Sequence, residues 1–183
     1  ANVIGGGTPS TAISEYWNGN IEWFTPTEIS GSKYSSESRR KISREGFNNC
    51  SAQLLPKGTI LMTTRASIGD LSILLNEACT NQGFQSLVSK DGFDSEYLYY
   101  LMQTKESELL KNASGSTFLE ISPNKVKAIL LAIPPTLEEQ QAISKILADM
   151  ELEINELDSK KAKYQDIKQG MMQELLTGKT RLV

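Results

Sequence analysis

The sequence predicts an α+β protein that ends in one long helix, and three observations carry that class. Short β-prone runs separated by turn residues lie between residues 58 and 88. Helical patterns flank them without the regular alternation of a βαβ series. After two consecutive prolines, Pro134 and Pro135, a heptad pattern runs almost to the C-terminal end.

Taken in order, "SSESRRKISREG" (35–46) predicts a helix ending at Gly46. "GTILMTT" (58–64), "LSILL" (71–75) and "FQSLV" (84–88) predict strands, divided by turns at Ile68-Gly69-Asp70 and Asn81-Gln82-Gly83. "DSEYLYYLMQTKESELLKNASG" (94–115) predicts one helix, capped by Asp94 or Ser95 and closed by Gly115. In "SPNKVKAI" Ser122 is placed as N-cap and Pro123 as the first helical residue, a short helix leading into an apolar strand, "ILLAI".

The two prolines force an extended backbone and end whatever precedes them. Thr136 then stands as an N-cap with Glu139 three residues on, the spacing of a reciprocal capping box. Gly178 follows as a left-handed C-terminal residue. The span 136–177 is about 42 residues, on the order of 60 Å at 1.5 Å per residue. Stepping by four and three gives Ile143, Leu147, Met150, Ile154, Leu157, Lys161, Tyr164, Lys168, Met171 and Leu175. That seam is the pattern of a coiled coil, with Lys161 and Lys168 as polar interruptions of the kind that set register. The simpler alternative is a helix packed on its own domain, against which stands the width of such a domain, only about 30 Å. The expected organisation is a domain over 1–135, the long helix over 136–177 and a tail over 178–183.

With 39% apolar and 22% charged residues, the chain can build a real core. No stretch approaches the ~20 apolar residues of a membrane span, and the N-terminus lacks the pattern of a secretory signal. A soluble, cytoplasmic protein is expected. Cys50 and Cys79 are read as buried free thiols. There is no histidine, which removes a Ser/His/Asp triad, a His-paired cysteine nucleophile and any His-containing metal site.

The net charge of −3 conceals a local excess: residues 33–65 hold seven basic and two acidic residues, a balance of +5. On the expected 35–46 helix, Arg40 and Arg44 lie one turn apart beside Arg39 and Lys41. Such a patch suits phosphates, although a solvated helix face has the same appearance. Base edges need forked donors or amides. Arg65, in the loop after a strand, is the first candidate, followed by Gln82 and Lys33. Ser116 and Thr117 either offer hydroxyls to DNA or form a turn. Tyr16, Trp17, Trp23 and Phe24 are assigned to packing rather than base stacking.

Several motifs fail. "IGGGTP" has too little chain before it for the strand of a dinucleotide fingerprint. "TGKT" (177–180) ends a helix, whereas a phosphate loop opens one. "IPPT" lacks the Asn or Asp of a methyltransferase Pro-Pro loop, and no Glu-x-Lys of a nuclease occurs.

In order along the chain, "GGGTPST", "YWNGNIEWFTPTEI", "ISREGFNNCSAQLLPKGTILMTTRASIGDLSI", "NQGFQSLV", "YLYYLM", "IPPTLEEQQAISKILADMELEINEL" and "LLTGKTRL" resemble the specificity subunit of type I restriction-modification systems. The resemblance covers essentially the whole chain. It implies a target recognition domain followed by a conserved long helix, in a family whose full-length members hold two such units with antiparallel helices. Each domain of such a pair reads one half of a bipartite site in double-stranded DNA. The chain itself would be non-catalytic and need no cofactor; S-adenosylmethionine, ATP and Mg²⁺ would belong to partner methyltransferase (M) and restriction (R) subunits.

Here there is one unit, a natural half-subunit or an excised half. A second copy is then the economical cover for the seam, giving a homodimer on a palindromic split target. Lys161 and Lys168 would lie near Glu153, Glu156 or Asp158 of that copy. The competing expectations are a coiled-coil assembly module without DNA contact and a small carboxylate-dependent enzyme.

Overall fold

The computed structural model describes residues 1–65, 67–115 and 119–183. It divides into two compact units, Ala1–Gln141 and Ala142–Val183.

The first unit is built on two sheets. β1 (Asn2–Gly5), β3 (Tyr34–Ser35), β5 (Ile60–Met62), β6 (Leu71–Leu74) and β8 (Gln85–Val88) form a mixed sheet in the order β1-β8-β5-β6-β3. All its pairings are antiparallel except the parallel edge of β3 on β6. β2 (Trp17–Phe24), β4 (Arg40–Ile42) and β7 (Cys79–Thr80) form the second, in the order β4-β2-β7. The α+β class follows, and the three predicted strands are present as β5, β6 and β8.

Strand alternation puts neighbouring side chains of β2 into different cores. Phe24 packs with Ile29, Leu55, Leu61, Leu74 and Phe84. Trp23, one residue earlier, packs with Trp17, Ile42, Ala52 and Cys79, its ring edge-on to Trp17 at 5.1 Å between centroids. Trp17, Trp23 and Phe24 are buried, in keeping with their assignment to packing. Cys50 is half-buried and Cys79 fully buried, both free.

The glycine run "GGG" is a packing device. The Gly7 amide donates to the Thr80 carbonyl at 2.8 Å, and the Gly7 carbonyl accepts from Trp23 Nε1 at 2.9 Å. A Cβ on Gly6 would sit 2.0 Å from the Asn81 carbonyl oxygen, so only glycine fits beside that backbone.

Three expected elements are corrected. No helix spans 35–46: β3 and β4 occupy its place, and α1 (Arg44–Asn48) starts only after Ser43, whose Oγ accepts from the Gly46 amide. The Ser-rich stretch bonds elsewhere. Ser38 Oγ accepts from the Trp23 amide and shares its single proton between the Arg40 carbonyl and the Glu22 carboxylate, an alternative that serine offers to a helix. The 94–115 helix is two helices, α2 (Ser95–Gln103) and α3 (Glu106–Asn112), and Asp94 is the cap of the first, accepting from the Tyr97 amide at 2.7 Å. After α4 (Pro123–Lys127), "ILLAI" forms no ladder. It keeps only the alternation, with Ile129, Leu131 and Ile133 half-buried and Leu130 and Ala132 exposed.

The expected long helix is present as α5 (Leu137–Leu176). Thr136 Oγ1 accepts from the Glu139 amide at 3.3 Å, one arm of the capping box. Gln140, which nothing in the sequence singled out, is buried: its Nε2 donates to the Pro134 carbonyl and its Oε1 accepts from the Asp94 amide, both at 3.0 Å. It ties the start of α5 to the cap of α2. At the other end Gly178 has φ +72°, the left-handed conformation expected there.

In the second unit, Met150, Ile154, Leu157, Tyr164 and Met171 are 55–60% exposed. Ile143, Leu147 and Leu175 are half-buried, and Lys161 and Lys168 are exposed. Ile167, Met172 and Leu176 widen the apolar face toward the C-terminal end. No helix of the described residues is long and apolar enough to cross a membrane.

Candidate nucleic-acid interface

The basic residues between 33 and 65 divide by what holds them. Lys33 leads into β3 and turns inward: its ammonium meets Glu96 at 2.9 Å, donates to the Tyr100 hydroxyl at 2.6 Å and lies 4.4 Å from the Tyr100 ring centroid. With its side chain only 16% exposed, Lys33 pins β3 to α2 and does not present a free cation. Its partner Glu96 also accepts from the Tyr34 hydroxyl at 2.8 Å; burial first, and then this carboxylate, raises the Tyr34 phenol above its ordinary value.

β4 sorts the next cations by face. Lys41 pairs in register with Glu22 of β2, and their side chains meet at 2.5 Å. Glu22 also accepts from the Ser38 amide at 2.7 Å and its hydroxyl at 2.8 Å. Burial pushes the Glu22 carboxyl up, but Lys41 and Ser38 outweigh it and hold the group below its ordinary value. The same pairing raises Lys41. Arg40, on the opposite side of the strand, stacks its guanidinium 3.6 Å from the Trp17 ring centroid.

Arg39 is exposed; its backbone amide donates to Glu28 Oε1 at 2.6 Å. Arg44 is exposed at the first turn of α1, 5.7 Å from the Phe47 ring. Among the described residues, no ion pair engages Arg39, Arg40, Arg44 or Lys57. The patch expected on one helix face is therefore a set of three arginines on β4, the residue before it and the start of α1, from which Lys41 has been drawn off by Glu22.

A second group gathers around the Thr64 amide, which donates to the Gly83 carbonyl at 2.9 Å. Arg65, one residue beyond, forms an antiparallel bridge with Glu120. Its Nε lies 2.9 Å from Glu120 Oε1, with both side chains nearly half exposed. Gln82, one residue before Gly83, is exposed, and its Oε1 accepts from the Thr8 hydroxyl at 2.5 Å. Ser116 and Thr117 lie outside the described residues.

Sequence reasoning thus reached the cations and the amide but not the partners that orient them: Glu22, Glu96, Glu120, Thr8 and the Trp17 ring. Lys33 and Glu96 are separated by 63 positions, and no local pattern announces such a pair.

An α+β domain displaying guanidinium and amide donors on its strands and loops, joined to a helix with an exposed apolar seam, has the build of a recognition module. The chain belongs to the type I restriction modification DNA specificity domain family, whose model matches residues 1–169. Among curated relatives, the type I restriction enzyme MjaIX specificity subunit of Methanocaldococcus jannaschii is 47% identical over 150 residues, covering 80% of this chain and 34% of the relative. The EcoR124I/EcoR124II specificity subunit of Escherichia coli is 29% identical over 150 residues, with 78% and 37% covered. Among solved structures, the HsdS subunit of Thermoanaerobacter tengcongensis matches with a TM-score of 0.66 at 19% identity, covering 94% of this chain and 41% of that one. A chain solved for the assembly and conformational transition of the type I R-M system matches with a TM-score of 0.72 at 21% identity, with 94% and 42% covered. These two confirm the fold. The chain spans between a third and about two fifths of the length of the relatives it matches.

Proposed function

We propose that this chain reads one half of a bipartite duplex DNA target, and directs separate methyltransferase and nuclease subunits to it without performing chemistry itself. The observation that carries this reading is the family match over residues 1–169, which takes in the whole domain and most of α5. Arg39, Arg40 and Arg44 are assigned to phosphates, because no ion pair engages them among the described residues and counterion release rewards an unpaired cation. Arg65 and Gln82 are assigned to base edges. S-adenosylmethionine, ATP and Mg²⁺ are assigned to the partner subunits. The exposed seam of α5 is assigned to a second copy, whose recognition domain would read the inverted half-site.

The competing reading, a coiled-coil module without DNA contact, separates on salt. Fluorescence anisotropy with a labelled duplex of mixed sequence should show affinity falling linearly in log–log form with salt, and Arg39→Ala and Arg44→Ala should each lower the slope by about 1. Absence of duplex binding at low salt would leave the assembly module as the better account.

A further inference from the structure

We infer that Glu120 is a positioning residue that makes Arg65 a reader of a base edge rather than a phosphate contact, and that the base is guanine in the major groove. The inference rests on the DNA-reading function proposed above and adds to it a residue and a base.

The backbone holds both partners firmly. Thr64, just before Arg65, is fully buried, and its amide and hydroxyl both donate to the Gly83 carbonyl, at 2.9 and 3.1 Å. Ile121, just after Glu120, is also fully buried, and its amide donates to the Thr64 carbonyl at 3.3 Å. Glu120 exchanges two further backbone bonds with Ser114, at 2.9 and 3.0 Å. The two side chains therefore leave fixed positions and meet in solvent-accessible space, at Arg65 Nε.

Charge then decides the role. The Arg65–Glu120 pair is neutral as a unit, so it releases few counterions, and its carboxylate repels a phosphate. What remains is direction: with Nε anchored, the terminal N–H groups of the guanidinium keep a set orientation. Gln82, one residue before the Gly83 that bonds Thr64, accepts from the Thr8 hydroxyl and offers its amide N–H donors. The Arg65 guanidinium, which can only donate, matches the base edge with two acceptors, guanine O6 and N7, and the Gln82 amide N–H adds a donor from the turn before β8.

The test is selection by the full chain from a duplex library randomised across the bound region, with Arg65→Lys and Glu120→Gln compared with the wild type. The wild type should fix a guanine. Arg65→Lys keeps the charge and loses the fork, so the preference at that position should fall roughly tenfold to a hundredfold with the salt slope unchanged. Glu120→Gln should weaken the same preference. It should also tighten binding to unselected duplex and steepen the slope by about 1, because the released guanidinium becomes free for a phosphate. Loss of affinity for every duplex alike in Glu120→Gln would reduce Glu120 to a structural prop and overturn the inference. So would an undiminished guanine preference in either variant, or a Glu120→Gln change confined to a cytosine position, the sign of direct reading by the carboxylate. A wild type that binds duplex yet enriches no sequence would overturn the DNA-reading function itself.

Discussion

Arg40 and Lys41 are consecutive on β4 and carry their charges to opposite faces of the sheet: the Arg40 guanidinium lies 3.6 Å from the centre of the Trp17 ring, while the Lys41 ammonium meets Glu22 at 2.5 Å. Two cations that look equivalent in the sequence differ in what they can do. One is displayed on an aromatic shelf, and the other closes an internal network that keeps β4 in register with β2.

That network makes Glu22 sensitive to acid. Its folded-state pKa is depressed, so its contribution is complete above the unfolded value of 4.5 and is lost as pH falls through the folded one. Glu22→Gln should remove this acid-dependent part of the stability and cost about 1–3 kcal/mol at neutral pH in urea unfolding, since the Ser38 amide and Lys41 lose a charged acceptor. An unchanged acid limb in the variant would mean that other carboxylates dominate.

The thiols should respond unequally. Burial, with a smaller contribution from Cys50, pushes the Cys79 thiol up to about 12. A disulfide exchange reagent at neutral pH should modify Cys50 in the folded protein and reach Cys79 only on unfolding. The sign for stability is the reverse of the Glu22 case: a raised thiol contributes fully below 9.0 and loses that contribution as pH climbs toward 12. Two equally fast thiols in the folded state would contradict the burial of Cys79.

Gly6→Ala should destabilise the domain by about 1–3 kcal/mol or more in chemical denaturation. The added methyl would lie 2.0 Å from the Asn81 carbonyl oxygen and 2.4 Å from that of Thr80, both of them backbone atoms that cannot swing aside. A neutral result would show that the N-terminal segment does not pack where it is placed.

For α5 the first measurement is sedimentation equilibrium of the chain, alone and with Leu147→Glu, Ile154→Glu and Leu157→Glu combined. A wild-type dimer that becomes a monomer in the triple variant is the expected outcome, because charges at seam positions cannot be buried unpaired. A wild-type monomer would assign the seam to a different partner.

The sequence by itself determined the elements whose signals are local. α5 follows from the Pro134-Pro135 stop, the Thr136 cap, the heptad apolar spacing and the left-handed Gly178, none of which needs a distant residue. The strands β5, β6 and β8 follow in the same way, from apolar runs bounded by turns. Tertiary structure decided what depends on residues far apart in the chain. The stretch 35–46 has helical spacing but is drawn into strand at two points: Glu22 and Trp23 of β2 bond Ser38 beside β4, and Ser72 of β6 bonds Ser35 in β3. "ILLAI" has strand composition but no strand to pair with among the described residues, and composition cannot supply a partner. The charges follow the same division. Their count was legible, while the choice of which cation stays free fell to Glu22, Glu96 and Glu120, because an ion pair is made by proximity in space and proximity in space is what the fold creates.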